Sequence, residues 1–206
     1  MKIGFIGLGL IGGSIAKAIR LYYPDSEIVA FDKNRETLAL ATAESVVDTA
    51  VTVIDDNFRD CSYIFLCTPV IHNSAYLSQV KPFLSENTVL TDVGSVKTPI
   101  HEDAAKLGLD TFFIGGHPMT GSEKSGYANS KAVLIENAYY IISPSSDAQK
   151  KKASEYASFV QSLKALPVVL DCRTHDYITG TISHLPHVIA SGLVNFVKDH
   201  DTKDEL

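Results

Sequence analysis

The chain has 206 residues, 45% apolar and 20% charged, and 18 Lys and Arg against 24 Asp and Glu give a net charge of -6. This composition excludes a disordered or fibrous chain, and an acidic balance without a basic run excludes nucleic acid as the main partner. Cys61, Cys67 and Cys172 form no CxxC pair, which excludes a complete disulfide framework and a cysteine zinc site, and a reducing compartment is the default.

Strands are predicted at 2–6 (KIGFI), 27–31 (EIVAF), 62–67 (SYIFLC), 87–92 (NTVLTD) and 111–115 (TFFIG), separated by helix or loop segments at 10–22, 34–43, 70–80 and 96–107. A further strand follows at 138–143 (AYYIIS). The turn Pro144, Ser145, Ser146 then leads through Asp147 into a helix over 147–164, and PVVLD at 167–171 reads as the last strand. This alternation implies βαβ units and a doubly wound, mainly parallel sheet with helices on both faces.

From Thr174 the pattern changes. Ile178, Ile182, Leu185, Ile189 and Leu193 recur every three or four residues, predicting one long helix over 175–198 that Pro186 should kink. Such a helix cannot bury its apolar stripe alone. It either packs back on the sheet or opens a helical domain.

Both ends imitate addresses. IGFIGLGLIGGSIA followed by Ala16, Lys17 and Ala18 mimics a secretory signal, and Lys203, Asp204, Glu205, Leu206 spells an endoplasmic-reticulum retention signal. Five glycines interrupt the apparent apolar core, and cleavage after Ala18 would remove a phosphate loop whose acidic partner lies downstream. The expected location is therefore cytoplasmic. No stretch approaches the ~20 apolar residues of a membrane span, so no membrane partner is expected.

That loop is Gly7-Leu8-Gly9-Leu10-Ile11-Gly12, between a strand and a helix, with Asp32 ending the second strand 20 residues after Gly12. Gly7 allows the tight turn, Gly9 the approach of backbone to a pyrophosphate, and Gly12 close helix–sheet packing, while the N-H groups around Leu10 and Ile11 face the phosphates. Asp32 would accept from the ribose hydroxyls and repel a 2'-phosphate, favouring NAD over NADP. Lys33 and Arg35 lie just beyond and leave NADP as the lesser alternative.

Thr68 and Pro69 follow SYIFLC, and DVGSVK at 92–97 follows the next strand, so both fall at the carboxyl edge where open α/β sheets bind ligands. Ser95 would hydrogen-bond the nicotinamide or a substrate hydroxyl, cap the helix over 96–107, or do both. GGHPMTGSEKSG at 115–126 reads as a polar, glycine-rich loop after a buried strand, and SHLPH at 183–187 puts two histidines three apart on one helix face. His117 alone reads equally as structural or functional. The His184/His187 pair lacks a third ligand with convincing spacing, so no metal is expected.

GLGLIGGS at 7–14, DVGSVK, GGHPMTGSEKSG and SHLPH, in that order, resemble the prephenate dehydrogenase family, from Lys2 to about Asn195. The resemblance implies a Rossmann-type NAD-binding domain over 1–172 and the first part of an α-helical substrate and dimerisation domain over 173–206, with a homodimer formed through the C-terminal helix. It implies oxidative decarboxylation of prephenate, in which the C4 hydride goes to NAD and 4-hydroxyphenylpyruvate and CO2 result. His117 would be the catalytic histidine, Ser95 its hydrogen-bonding neighbour and Glu123 a gate or polar organiser. Thr120, Gly121, Ser183, His184 and His187 would face the substrate. A neutral imidazole at His117 suits the role of acceptor from the C4 hydroxyl.

The family's longer helical domain and its substrate-binding arginine have no counterpart before Leu206: Arg20, Arg35, Arg59 and Arg173 are the only arginines. Alternative readings are an arogenate dehydrogenase, a catalytically silent dinucleotide-binding protein, and a β-hydroxyacid-type dehydrogenase, against which SHLPH counts.

Overall fold

The computed structural model describes residues 1–146 and 149–201. The expected helix start at Asp147 and the tail at 203–206 lie outside the described residues.

Five strands form a parallel sheet: β1 (Lys2–Ile6), β2 (Glu27–Phe31), β3 (Thr49–Val51), β4 (Tyr63–Leu66) and β5 (Val89–Asp92), in the order β3-β2-β1-β4-β5. Three more, β6 (Ile114–Pro118), β7 (Tyr139–Pro144) and β8 (Leu166–Val169), continue beyond β5, with β6 antiparallel and β8 parallel to β7. A parallel bridge between Leu90 and Phe113 joins the two groups. The α/β, mainly parallel architecture expected from the alternating pattern is thus observed.

The helices between the strands are α1 (Leu10–Tyr22), α2 (Arg35–Ala43), α3 (Val70–Val80), α4 (Thr98–Lys106) and α5 (Lys150–Ser162). One apolar layer joins Ile15 and Ile19 of α1, Leu38 of α2, and Tyr156, Phe159 and Val160 of α5 to Phe5, Ile28 and Phe65 of the sheet. The opposite layer joins Tyr76, Leu77 and Val80 of α3 and Ile100 and Ala104 of α4 to Ile6, Val29 and Ile64. Each large apolar side chain so buried contributes about 1.5–3 kcal/mol relative to exposure, which is what fixes the helices on the two faces.

Three departures from expectation have a clear physical reason. β3 escapes detection because its three half-exposed or exposed residues, TAV, carry no alternation. β6 starts three residues later than the β-rich TFF run predicts, since the Phe112 and Phe113 N-H groups both donate to the Leu109 carbonyl in a turn that follows Gly108 at φ 66°. His117 therefore sits within β6, not in the loop after it. The third concerns the predicted helix over 175–198, which is longer and interrupted: α6 (Cys172–Thr179), a π-helical turn (Gly180–His184) and α7 (Leu185–His200). Pro186 has no N-H and crowds the carbonyl four residues earlier. The wide turn immediately before it absorbs that conflict.

None of the residues of α7 is buried. Ile182, Leu185, Ile189 and Leu193 are all more than half exposed, as are Val188, Val194, Phe196 and Val197. Of the two expected fates of this helix, packing back on the sheet is therefore not what the chain does. Among the described residues no helix is long and apolar enough to cross a membrane.

Candidate functional site

Because β1, β2, β4 and β5 are parallel, the segments leaving their carboxyl ends gather along one edge. Gly7 follows β1 with φ 95°, in the left-handed region that favours glycine. A Cβ there would stand 3.0 Å from the Cys67 carbonyl, and one at Gly12 would meet the Gly7 carbonyl oxygen at 2.6 Å and Cys67 Cβ at 2.8 Å. Gly9 differs: nothing lies within 4 Å of its Cβ position. It is the N-cap of α1 and offers no side-chain cap, so the helix opens on free N-H groups beside an open cradle, the arrangement a phosphate requires.

Asp32, at the end of β2, accepts from Leu8 N at 2.7 Å and Asn34 N at 2.8 Å. One carboxylate thus ties the glycine loop to the second βα turn. It lines a cleft of about 230 Å³ with Gly7, Gly9, Phe31, Lys33, Thr68, Pro69 and Tyr76. Arg35 begins α2 and does not line it. The open cradle, the uncapped helix and the acid at the second strand fit the pyrophosphate and ribose of a dinucleotide.

The cleft continues into a second cavity of about 500 Å³ that Gly9, Thr68 and Pro69 share. Leu10, Ile11, Ser95, His117 and Thr120 line it together, so glycine loop, serine and histidine converge from β1, β5 and β6. Gly121 and Glu123 are exposed and do not line it, nor do Ser183, His184 and His187. The His187 Nδ1-H donates to the Ser183 carbonyl at 2.8 Å. His184 is near enough for its charge to act on His117. Thr68 does not stand free, because its hydroxyl donates to Asn73 Oδ1 at 2.5 Å.

His175 and Asp176, the two residues that hold His117, carry no signal of their own in the sequence. His117 is 9% exposed, and its Nδ1 lies 2.8 Å from His175 Nε2. His175, in α6 and 1% exposed, has its Nδ1 2.8 Å from Asp176 Oδ1. The Asp176 carboxylate also accepts from Lys97 N at 2.7 Å and Thr98 N at 2.8 Å, so it, and not Ser95, satisfies the first N-H groups of α4. Beneath lies a fully buried ion pair of Lys97 and Asp92. Asp92 further accepts from Gly94 N at 2.9 Å and Gly116 N at 3.1 Å, pinning the DVGS loop and β6 to each other.

Burial drives the electrostatics. It pulls the His117 pKa down to about 3, with the positive charge of Lys97 and the neighbouring His175 and His184 acting in the same direction against Asp176. Burial also lowers His175, partly opposed by its bond to Asp176. Asp176 is raised by burial but brought below the ordinary carboxylate value by the Thr98, Lys97 and His175 donors. At neutral pH the two rings are neutral and the carboxylate is charged.

The fold and the edge define a Rossmann-type nucleotide-binding domain continued by a helical segment. The family model for the prephenate dehydrogenase nucleotide-binding domain matches residues 15–169, and that for the prephenate dehydrogenase dimerization domain matches 171–206. The chain belongs to the prephenate dehydrogenase family. It is 37% identical to the prephenate dehydrogenase of Lactococcus lactis over 206 residues, 97% of this chain and 56% of that protein. The crystal structure of prephenate dehydrogenase from A. aeolicus in complex with hydroxyphenyl propionate and NAD+ superposes with a TM-score of 0.90 at 30% identity, covering 100% of this chain and 72% of that one. Synechocystis arogenate dehydrogenase gives 0.87 at 31%, over 99% and 72%. The chain spans about half the length of the curated relatives it matches.

Proposed function

We propose that this chain carries the cofactor half of an NAD-dependent dehydrogenase acting on prephenate in tyrosine biosynthesis. Residues 1–172 form the cofactor domain, and 173–206 begin the helical domain through which two copies pair. The observation that carries the reading is one cleft lined at once by the cradle at Gly9, by Ser95 and by the neutral, largely buried His117.

Leu10, Ile11 and the glycines would hold the pyrophosphate, and Asp32 the adenosine ribose, with a preference against a 2'-phosphate. Bound NAD supplies the hydride acceptor. His117, kept uncharged by its surroundings, accepts the hydrogen bond of the C4 hydroxyl, and Ser95 hydrogen-bonds the same group or the nicotinamide. The cleft walls would align the reacting carbon, the larger part of catalysis when the ring's aromatisation drives the reaction. Glu123, Thr120, Gly121, Ser183, His184 and His187 are assigned to the substrate side on the family resemblance.

Arogenate differs from prephenate only in bearing an amine in place of the side-chain keto group, and the similarity to Synechocystis arogenate dehydrogenase keeps it as the second substrate to try. Purified protein mixed with NAD and prephenate, then with arogenate, should generate reduced cofactor absorbance. Calorimetric binding of NAD without turnover of either substrate would reduce the reading to a dinucleotide-binding module.

A further inference from the structure

His117, His175 and Asp176 form a chain leading away from the cleft, at 2.8 Å from ring to ring and 2.8 Å from ring to carboxylate. The protons along it can be assigned. Asp176 receives two backbone N-H groups on top of the His175 contact, so the ionised carboxylate is an acceptor only. His175 Nδ1 must then carry the proton. In a neutral ring that leaves Nε2 as a lone pair, which the Thr179 hydroxyl, 3.4 Å away, also approaches as a donor. A lone pair at His175 Nε2 in turn requires an N-H at His117 Nδ1. The remaining nitrogen of His117, Nε2, is bare, and it belongs to a ring that lines the cleft.

We propose that His175 and Asp176 are positioning residues for His117, selecting the tautomer whose unprotonated Nε2 faces the substrate. The consequence for chemistry rests on the dehydrogenase reading above. With the opposite tautomer His117 would present a donor to the substrate hydroxyl and could not accept from it. The hydrogen bond made by one imidazole nitrogen decides the state of the other, and here the deciding partner comes from α6, 58 residues further along the chain. Asp176 holds α4 and orients His175 with the same oxygen, so the N-terminus of α4 and the tautomer of His117 are set by one side chain.

The test is imidazole nitrogen spectroscopy on the 15N-labelled chain at neutral pH, with seven histidines assigned by single substitutions. Wild type should show His117 protonated at Nδ1 and unprotonated at Nε2. His175→Leu removes the acceptor and should release His117 into a mixture of tautomers. His175→Gln offers an amide oxygen to Nδ1-H and should restore the single form. Turnover should follow the same order, with kcat falling at least ~10-fold in His175→Leu, largely recovering in His175→Gln, and the KM for NAD unchanged. An Nε2-H signal in wild type, or an unaltered tautomer in His175→Leu, overturns the proposal. If His175→Leu does not fold, the wild-type and His175→Gln spectra still decide, since Nε2-H in either overturns it. Tautomers that respond as expected in a protein that oxidises neither prephenate nor arogenate would sink the dehydrogenase reading and leave the positioning role standing.

Discussion

Gly116 of β6 and Asp92 of β5 are in contact twice: the Gly116 N-H donates to Asp92 Oδ1 at 3.1 Å, and a Cβ on Gly116 would stand 2.5 Å from the Asp92 carbonyl oxygen. Strand β6 can carry His117 to the carboxyl edge only because its preceding residue has no side chain. The same Asp92 neutralises Lys97 in the buried ion pair, so backbone approach and charge pairing depend on one residue.

Gly116→Ala should therefore destabilise the fold, by about 1–3 kcal/mol as overpacking against backbone does, read as a lower urea midpoint. Gly9→Ala is the contrast. Its Cβ would enter open space at an ordinary φ of -75°, so stability should hold while affinity for NAD drops.

Asp32→Ala should narrow the preference for NAD over NADP, because the charge that repels a 2'-phosphate is gone. It also releases the Leu8 and Asn34 N-H groups, so NAD itself should bind more weakly. Calorimetry with both cofactors separates the two effects, and an equal preference in wild type would refute Asp32 as the ribose ligand.

The parallel sheet and the phosphate loop were legible because both are local. Alternating strand and helix patterns, and a glycine loop twenty residues before an acid, are written in consecutive sequence. What escaped is long-range. The residues that hold His117 come from α6, and nothing in Arg173-Thr174-His175-Asp176 announces that one carboxylate closes a helix 78 residues earlier. Ser95 looked like the cap of that helix because serine is favoured there, and tertiary structure supplied a stronger acceptor. His184 and His187 are conspicuous by spacing, yet the π-helical turn and the helix that carry them bury neither residue.

His117→Asn should keep NAD binding and lower turnover by roughly two to four orders of magnitude, the range for loss of a proton acceptor. Unfolding of the variant, seen in the far-ultraviolet circular dichroism, would instead make the histidine a structural residue.

The exposed apolar face of α6 and α7 should bring two copies together. Removing side chains such as Ile182, Ile189 and Leu193 from water is worth about 1.5–3 kcal/mol each, and an isologous contact needs only one self-complementary surface. Sedimentation at tens of micromolar should give a dimer, and Ile189→Asp should shift it towards monomer. A monomeric wild-type chain would refute pairing through this segment alone.

Stability should fall as the solution is acidified from about pH 6.5. His117 is depressed to about 3 and His101 to about 4, both chiefly by burial. Between those values and the unfolded histidine value the unfolded chain binds protons that the native chain refuses, so stability is complete above the unfolded pKa and declines as pH drops through the window. Each group should cost roughly 2 kcal/mol between pH 7 and pH 5. Asp176, held below the ordinary carboxylate value in the fold, adds a loss of the same sign at still lower pH, where the unfolded carboxylate protonates first. His101 Nδ1 pairs with the Ser145 hydroxyl at 3.0 Å, while its Nε2 is buried without a partner among the described residues. His101→Asn keeps a donor for Ser145 and removes the titrating ring, so it should flatten roughly a third to a half of the pH 7 to pH 5 slope, His175 adding a loss of the same sign. Urea unfolding at the two pH values measures it directly, and a wild-type midpoint that is the same at both would mean that these histidines are already solvated in the native state.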